Sequence, residues 1–351
     1  MKKIPADHTF YTFRNKKLGL SGQIRRKNVW IMFSLLFLLF ALLVASASIG
    51  AVSLEPFRVL KVFFGAGTAK DTLIVNQLRM PRAAASILIG AALGVSGAMM
   101  QGMGRNPLAS PDILGITSGA SAAAVGFLVL FESASIHLLP FASFGGALLT
   151  AALIYAAAWK RGVGPLTFVL VGVGIGFVMS ALTTLLIVTS PMYLTSKALN
   201  WLAGSVYGTT WAQVGALTPW FLIFFVLALL FTRRLNAQQM GDDAAQSVGS
   251  AVQKDRLLLL LIIVALAGSA VAVGGAIGFV ALIAPHIARR LVGPSFGSLL
   301  PVSALTGAAV VTASDLAART AFSPLDLPVG LITSAVGAPF FIYLLYKNRN
   351  S

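Results

Sequence analysis

Residues 29–52 read VWIMFSLLFLLFALLVASASIGAV, without a single charged side chain. The hydrocarbon core of a bilayer is about 30 Å thick and is crossed by about 20 residues of α-helix, so this stretch is long enough to span it. Ala45-Ser46-Ala47 resembles a signal-peptide cleavage site. The apolar region of a signal peptide, however, runs only about 7–15 residues, and this one is longer and follows a long polar tail. It is read as a retained first membrane helix.

The residues before it, 1–28, form a basic tail. Lys2, Lys3, Arg14, Lys16, Lys17, Arg25, Arg26 and Lys27 stand against Asp7, a balance that keeps such a tail in the cytoplasm. After it, residues 53–78 alternate apolar and charged side chains and suit a short helix lying at the outer surface. Apolar blocks then recur at roughly 82–101, 112–131, 140–159, 166–189, 215–232, 256–273, 276–291, 299–318 and 327–346. With the first helix they make ten spans and leave both ends, including residues 348–351, on one side. The tightest fit is 256–291, where two crossings share the space around Gly274-Gly275. This topology places Arg58, Lys61, Lys70, Arg79, Arg82, Lys197 and Arg319 outside and the other 19 of the 26 basic residues inside, in line with the inner preference of Lys and Arg.

Composition agrees. Of 351 residues 57% are hydrophobic and 10% charged, against about 25% charged in a soluble domain. A soluble globular protein is excluded. The net charge of +16 does not indicate nucleic-acid binding, because the basic residues sit at the edges of apolar segments rather than on a polar domain. With no cysteine, disulfides, thiolate metal sites and cysteine nucleophiles are excluded.

Lipid tails are as apolar as leucine, so membrane helices associate through close backbone approach, which small residues permit. Gly90-xxx-Gly94, Gly172-xxx-Gly176 and Gly274-xxx-Gly278 offer such faces. The run VGVGIG at 171–176 lacks the nucleotide-fingerprint spacing, and no G-x-x-x-x-G-K-[ST] loop occurs. This chain therefore has no ATPase site of its own; if ATP drives it, another subunit binds the ATP. His8, His137 and His286 are scattered and fit surface or packing roles, so no metal or cofactor is expected. An ion-coupled secondary carrier would bury ionisable groups in mid-membrane, whereas Asp112, Asp315 and Asp326 fall near helix ends. Residues 233–256, RRLNAQQMGDDAAQSVGSAVQKDR, form the longest hydrophilic stretch between spans. They read as cytoplasmic, a solvated linker or, favoured because 24 residues is long for a plain connection, a docking element for a partner, with short helices that break at Gly241 and Gly249.

LRMPRAAASILIGAALGVSGAMMQGMGRNPLASPDILGITSGASAAA, from Leu78, closely resembles the FecCD-type permease subunits of ATP-driven iron-siderophore and cobalamin importers. Five further blocks continue the resemblance in order: 199–211, 235–249, 275–293, 299–320 and 327–345. The resemblance implies an all-α integral membrane protein with a ten-helix permease domain over 29–347, of the type II ABC importer fold. Its implied partners are a second permease subunit (a heterodimer favoured over a homodimer), two cytoplasmic ATP-binding subunits and an extracellular lipoprotein or periplasmic binding protein. The implied cargo is a ferric siderophore of hydroxamate type, with haem or cobalamin as alternatives, moved across the bacterial cytoplasmic membrane. The family's ATPase-docking loop falls here on Leu235, Asn236, Ala237, Gly241, Asp242, Asp243, Ala244, Ala245 and Gly249. Its outer arginines, which meet acidic residues of the binding protein, fall on Arg79, Arg82 and Arg319.

Overall fold

The computed structural model describes residues 10–15, 20–50, 52–159, 165–321 and 325–347. Much of the basic tail and the end at 348–351 lie outside them. An antiparallel hairpin, β1 (Phe10–Asn15) and β2 (Leu20–Arg25), precedes a body made only of helices.

α1 (Arg26–Ser48) is the first span. α2 (Pro56–Phe63) starts on a proline, which costs no hydrogen bond in a first helical turn. It buries Val59 and Val62 and exposes Phe57 and Arg58, as a surface helix should. The expectation of one surface segment over 53–78 needs correction beyond this point. α3 (Ala69–Leu73) passes through a π-helical turn, Ile74–Arg79, into α4 (Met80–Met103), so that Ala69–Met103 is one continuous helical run of 35 residues.

The remaining spans are α5 (Ile116–Leu130), α6 (Leu139–Trp159), α7 (Pro165–Val188), α9 (Trp211–Leu230), α12 (Val252–Gly274), α13 (Val280–Val292), α14 (Phe296–Thr320) and α15 (Val329–Lys347). The short α8 (Met192–Leu202) lies between α7 and α9. Among the described residues eight helical runs are long and apolar enough to cross a membrane, and the shorter α5 and α13 bring the total to the ten expected.

Position in the bundle does not follow hydropathy. The apolar windows of α4, α12 and α14 are 83%, 72% and 67% buried, whereas those of α1 and α7, equally apolar, are 11% and 17% buried. The difference is backbone approach. A Cβ added to Gly90 would lie 2.2 Å from the Gly307 carbonyl oxygen, one on Gly94 2.2 Å from that of Ser303, and one on Gly97 1.8 Å from that of Ala281. Only glycine lets α4 lie this close to α13 and α14. Gly172 and Gly176 likewise abut Leu114 and Gly115 at the start of α5. The third expected pair is corrected: Gly274 ends α12 while Gly278 lies in the connection after it, so they share no helix face.

That connection resolves the tight 256–291 region. α13 has 13 residues, about 20 Å of helix, and residues 275–279 complete the crossing in irregular form. Irregular backbone is tolerated at membrane depth only where its polar groups are satisfied within protein. The Gly274 carbonyl accepts from Ser205 N at 2.8 Å, and Phe279 N, entering α13 at φ 66°, donates to Asp112 Oδ2 at 3.3 Å. Asp112 thus caps an interior half-helix instead of marking the end of a span.

Candidate functional site

Two clusters carry the expected functional residues, one at each end of the bundle. At one end, the hydrophilic loop folds into α10 (Thr232–Gln239) and α11 (Asp242–Ser247), broken at Gly241 (φ 113°) and at Gly249 (φ 84°), as its sequence indicates. The nine loop residues singled out divide by role. Leu235 and Ala245 are fully buried and fasten the two helices to the body. The Asn236 side-chain oxygen accepts from Phe296 N at 3.1 Å, tying α10 to the start of α14.

Asp242 is the junction. Arg256 Nη2 on α12 donates to its two carboxylate oxygens at 2.7 and 2.9 Å, and Arg105, on the loop after α4, donates to the same carboxylate. Beside it, Arg234 bonds Asp255, which also accepts from Ser250 Oγ at 2.6 Å. The sequence reading counted Arg105 and Arg256 only among the basic residues of the inner side and gave neither a site role. Their pairing with Asp242 spans 137 and 14 residues of sequence, and a single chain carries no spacing signal for the longer of these. The face left outward carries Met240, Asp243, Gln246, Ser247, Val248 and Gly249, with Met240 and Val248 largely exposed. Large apolar side chains beside a carboxylate on a polar loop suit a protein contact.

At the opposite end the structure brings Arg79, Arg82 and Arg319 together. They were expected as cations facing a partner; each is buried and engaged within the chain. Arg82 Nε donates to Asp315 Oδ1 at 2.9 Å, and its two terminal nitrogens bond Asp326 in a fork at 2.8 Å each. Arg79 donates to the carbonyls of Ala47 (2.6 Å), Ser48 (2.9 Å) and Val52. Arg319 Nη2 donates to the carbonyl and hydroxyl oxygens of Ser46, both at 2.7 Å. The three arginines therefore clamp the end of α1 to α4, to α14 and to the connection before α15. Exposure on this side belongs instead to Arg58, Lys61, Lys70 and Lys197. Sequence alone places a cation at a helix end but does not place its acceptor.

Asp326, in the connection between spans, is held below the ordinary carboxylate value of 3.8 by the Arg82 hydrogen bond. A lowered native pKa stabilises above the unfolded value and is lost as pH falls through the native one. Thermal stability in detergent is therefore expected to owe nothing to this pair's titration between pH 5 and 8 and to lose its contribution below pH ~4. An Asp326→Asn variant, compared across the same range, should show no such acid-side component.

Among the described residues no cluster of three or more His, Asp or Glu could hold a metal. The His286 ring meets Phe340 edge-on at 5.5 Å, a packing contact.

With this architecture in view, the comparisons with known proteins are decisive. A model of the FecCD transport family matches residues 37–347. The chain belongs to the FecCD transport family. It is 47% identical over 331 residues, 94% of this chain and 95% of the relative, to the achromobactin transport system permease protein CbrC of Dickeya dadantii. It is 42% identical over 309 residues (86% and 92%) to the iron(3+)-hydroxamate import system permease protein FhuG of Bacillus subtilis. Among solved structures it resembles a metal-chelate type ABC transporter in an inward-facing conformation, with TM-score 0.81 and 30% identity over 91% of this chain and 99% of that one. FecCD permeases are the membrane transport subunits of ABC importers, and the ATPase resides in a separate subunit, which accounts for the missing nucleotide loop. The secondary-carrier alternative is thereby set aside.

Proposed function

We propose that this chain is the permease subunit of an importer that brings a ferric siderophore, of the hydroxamate class, into the cytoplasm of a bacterium, with both termini inside. The observation that carries the importer mechanism is the α10–α11 loop bonded through Asp242 to Arg105 and Arg256. ATP-driven motion of a docked ATPase pair at the Met240 and Val248 face passes through one carboxylate to α12 and to the end of α4. The CbrC and FhuG relatives support the cargo class. The partners are a second, non-identical permease subunit, two ATP-binding subunits and an extracellular binding protein. For the last, the buried arginine clamp provides a rigid seat, and Arg58, Lys61 and Lys70 provide the exposed charge that orients the encounter.

The test is uptake of radiolabelled ferric hydroxamates by cells lacking this protein and by the same cells with it restored, with ferric citrate, haem and cobalamin in parallel. Selective loss and recovery of hydroxamate uptake is the expected result. Selective loss of another cargo would overturn the assignment. Asp242→Asn, which keeps the shape but halves the charge-assisted bonding, is expected to lower uptake at least tenfold with the ATPase still bound. Full uptake by this variant would refute the coupling role.

A further inference from the structure

Lys197, on α8, is an exposed cation that the transport reading leaves without a role. It stands at a groove of about 700 Å³ at the same end of the bundle as the arginine clamp. The walls of the groove are α8 and the first turns of α6 and α9, and its back is the end of α12, residues 272–275. Both α6 and α9 run from this end into the bundle, and each wall changes from polar to apolar as it does. His137 gives way to Phe141 one turn on, and Gln213 to Ala216. One turn further, Phe144 and Trp220 meet edge to face with ring centroids 5.3 Å apart, and the Trp220 indole donates to the Ala265 carbonyl of α12 at 3.0 Å. This ring pair closes the deep end.

The surroundings name the occupant. Phe141 is 74% exposed, and Leu138 and Leu149 of the same wall are exposed as well, so the groove opens on a surface that lipid covers. Tyr207 in its lining is exposed, as aromatic residues are at a membrane–water interface, which sets the polar end at headgroup level. Among the described residues neither Lys197 nor His137 has an acidic partner, and Glu132, reached by α8 one turn before Lys197, accepts from the Tyr193 hydroxyl. A cleft of this size, largely apolar with a few polar groups gathered at one end, has the form of a small-molecule site. A cation at the interface above an apolar floor matches a phosphate with an acyl chain below it.

We propose that the groove between α6, α8 and α9 binds one anionic phospholipid, its phosphate held by Lys197 and His137 and an acyl chain laid over Phe141, Ala216 and Ala272. The leaflet in which it lies rests on the orientation proposed above; the lipid contact does not. Because Ser205 N, just after α8, donates to the Gly274 carbonyl at the back of the groove, the lipid packs on the joint that ties α8 to α12.

The test uses the full-length protein, delipidated in detergent, with phosphatidylglycerol or phosphatidylcholine titrated in and bound lipid counted by native mass spectrometry. Phosphatidylglycerol is expected to bind as a single adduct about fivefold or more tightly than phosphatidylcholine. Lys197→Glu reverses the cation, and Ala216→Trp fills the floor from an exposed position. Each should weaken phosphatidylglycerol about fivefold or more, with the melting temperature of the lipid-free protein unchanged. Lys61→Glu, which alters an exposed cation outside the groove, should have a far smaller effect. Equal binding of the two lipids, or wild-type binding by both groove variants, would overturn the proposal. A loss in Lys61→Glu as large as in Lys197→Glu would also overturn it, reducing the binding to diffuse surface attraction. Displacement of the adduct by a ferric hydroxamate would assign the groove to cargo instead of lipid.

Discussion

An Arg82→Ala permease is expected to lose its folded outer end before it loses any contact with a partner. Arg82 satisfies Asp315, whose side chain has no exposure, and Asp326 together. Removing one member of a buried ion pair leaves an uncompensated charge and costs about 3–5 kcal/mol. Arg319 offsets this only in part, since its Nε stands 4.0 Å from Asp315 Oδ2, within ion-pair range but beyond a hydrogen bond. The measurement is thermal unfolding in detergent, followed by size-exclusion profile, for Arg82→Ala, Asp315→Asn and the Arg82→Leu/Asp315→Asn pair. Both single variants should aggregate at markedly lower temperature, and the pair should regain most of the loss, because replacing both partners by neutral side chains removes the buried charge. Wild-type unfolding in Arg82→Ala with uptake alone reduced would instead make Arg82 a direct docking residue.

Gly97→Ala is expected to be as damaging, through a single methyl group. Its new Cβ would fall 1.8 Å from the oxygen and 2.6 Å from the carbon of the Ala281 carbonyl, backbone atoms that have no rotamer to change. Overpacking of this kind typically costs about 1–3 kcal/mol, and here the outcome is displacement of α13 from α4. Gly145→Ala and Gly215→Ala serve as controls, because nothing lies within 4 Å of either added Cβ. Both should be neutral or gain helix stability, by up to about 1 kcal/mol. The comparison requires only expression yield and melting in detergent. If Gly97→Ala behaved like the controls, the close α4–α13 approach would be refuted.

The ten-span body was legible because lipid imposes its own arithmetic: a crossing needs a fixed apolar length, and loops between crossings concentrate Lys and Arg. Gly90 and Gly94 could be read as a packing face for a similar local reason, the four-residue repeat of a helix. The errors arose where one local pattern has two structural outcomes. Gly274 and Gly278 have the spacing of a helix face, but α12 stops between them, and the capping carboxylate that makes the stop tolerable, Asp112, lies more than 160 residues earlier. The alternating charges of 69–79 suit a helix on the surface and equally a helix that runs past it. At the candidate sites, a cation at a helix end was legible and its partnership was not: Arg79, Arg82 and Arg319 come together, with acceptors from α1, α14 and the α14–α15 connection. Within the loop, the breaks at Gly241 and Gly249 followed from composition, whereas the role of Asp242 depends on two arginines brought in by folding.

The uninterrupted run from Ala69 to Met103 joins these two ends mechanically. Its upper part carries the arginine clamp, and its lower end leads within two residues to Arg105 and so to Asp242. At about 1.5 Å per residue it is a rod of roughly 50 Å, and the glycines along it, Gly90, Gly94 and Gly97, are held against the backbones of α13 and α14. Tilting such a rod by ~10° about its midpoint swings its ends ~4 Å in opposite directions. A push on one side of the membrane and a pull on the other are then the same movement.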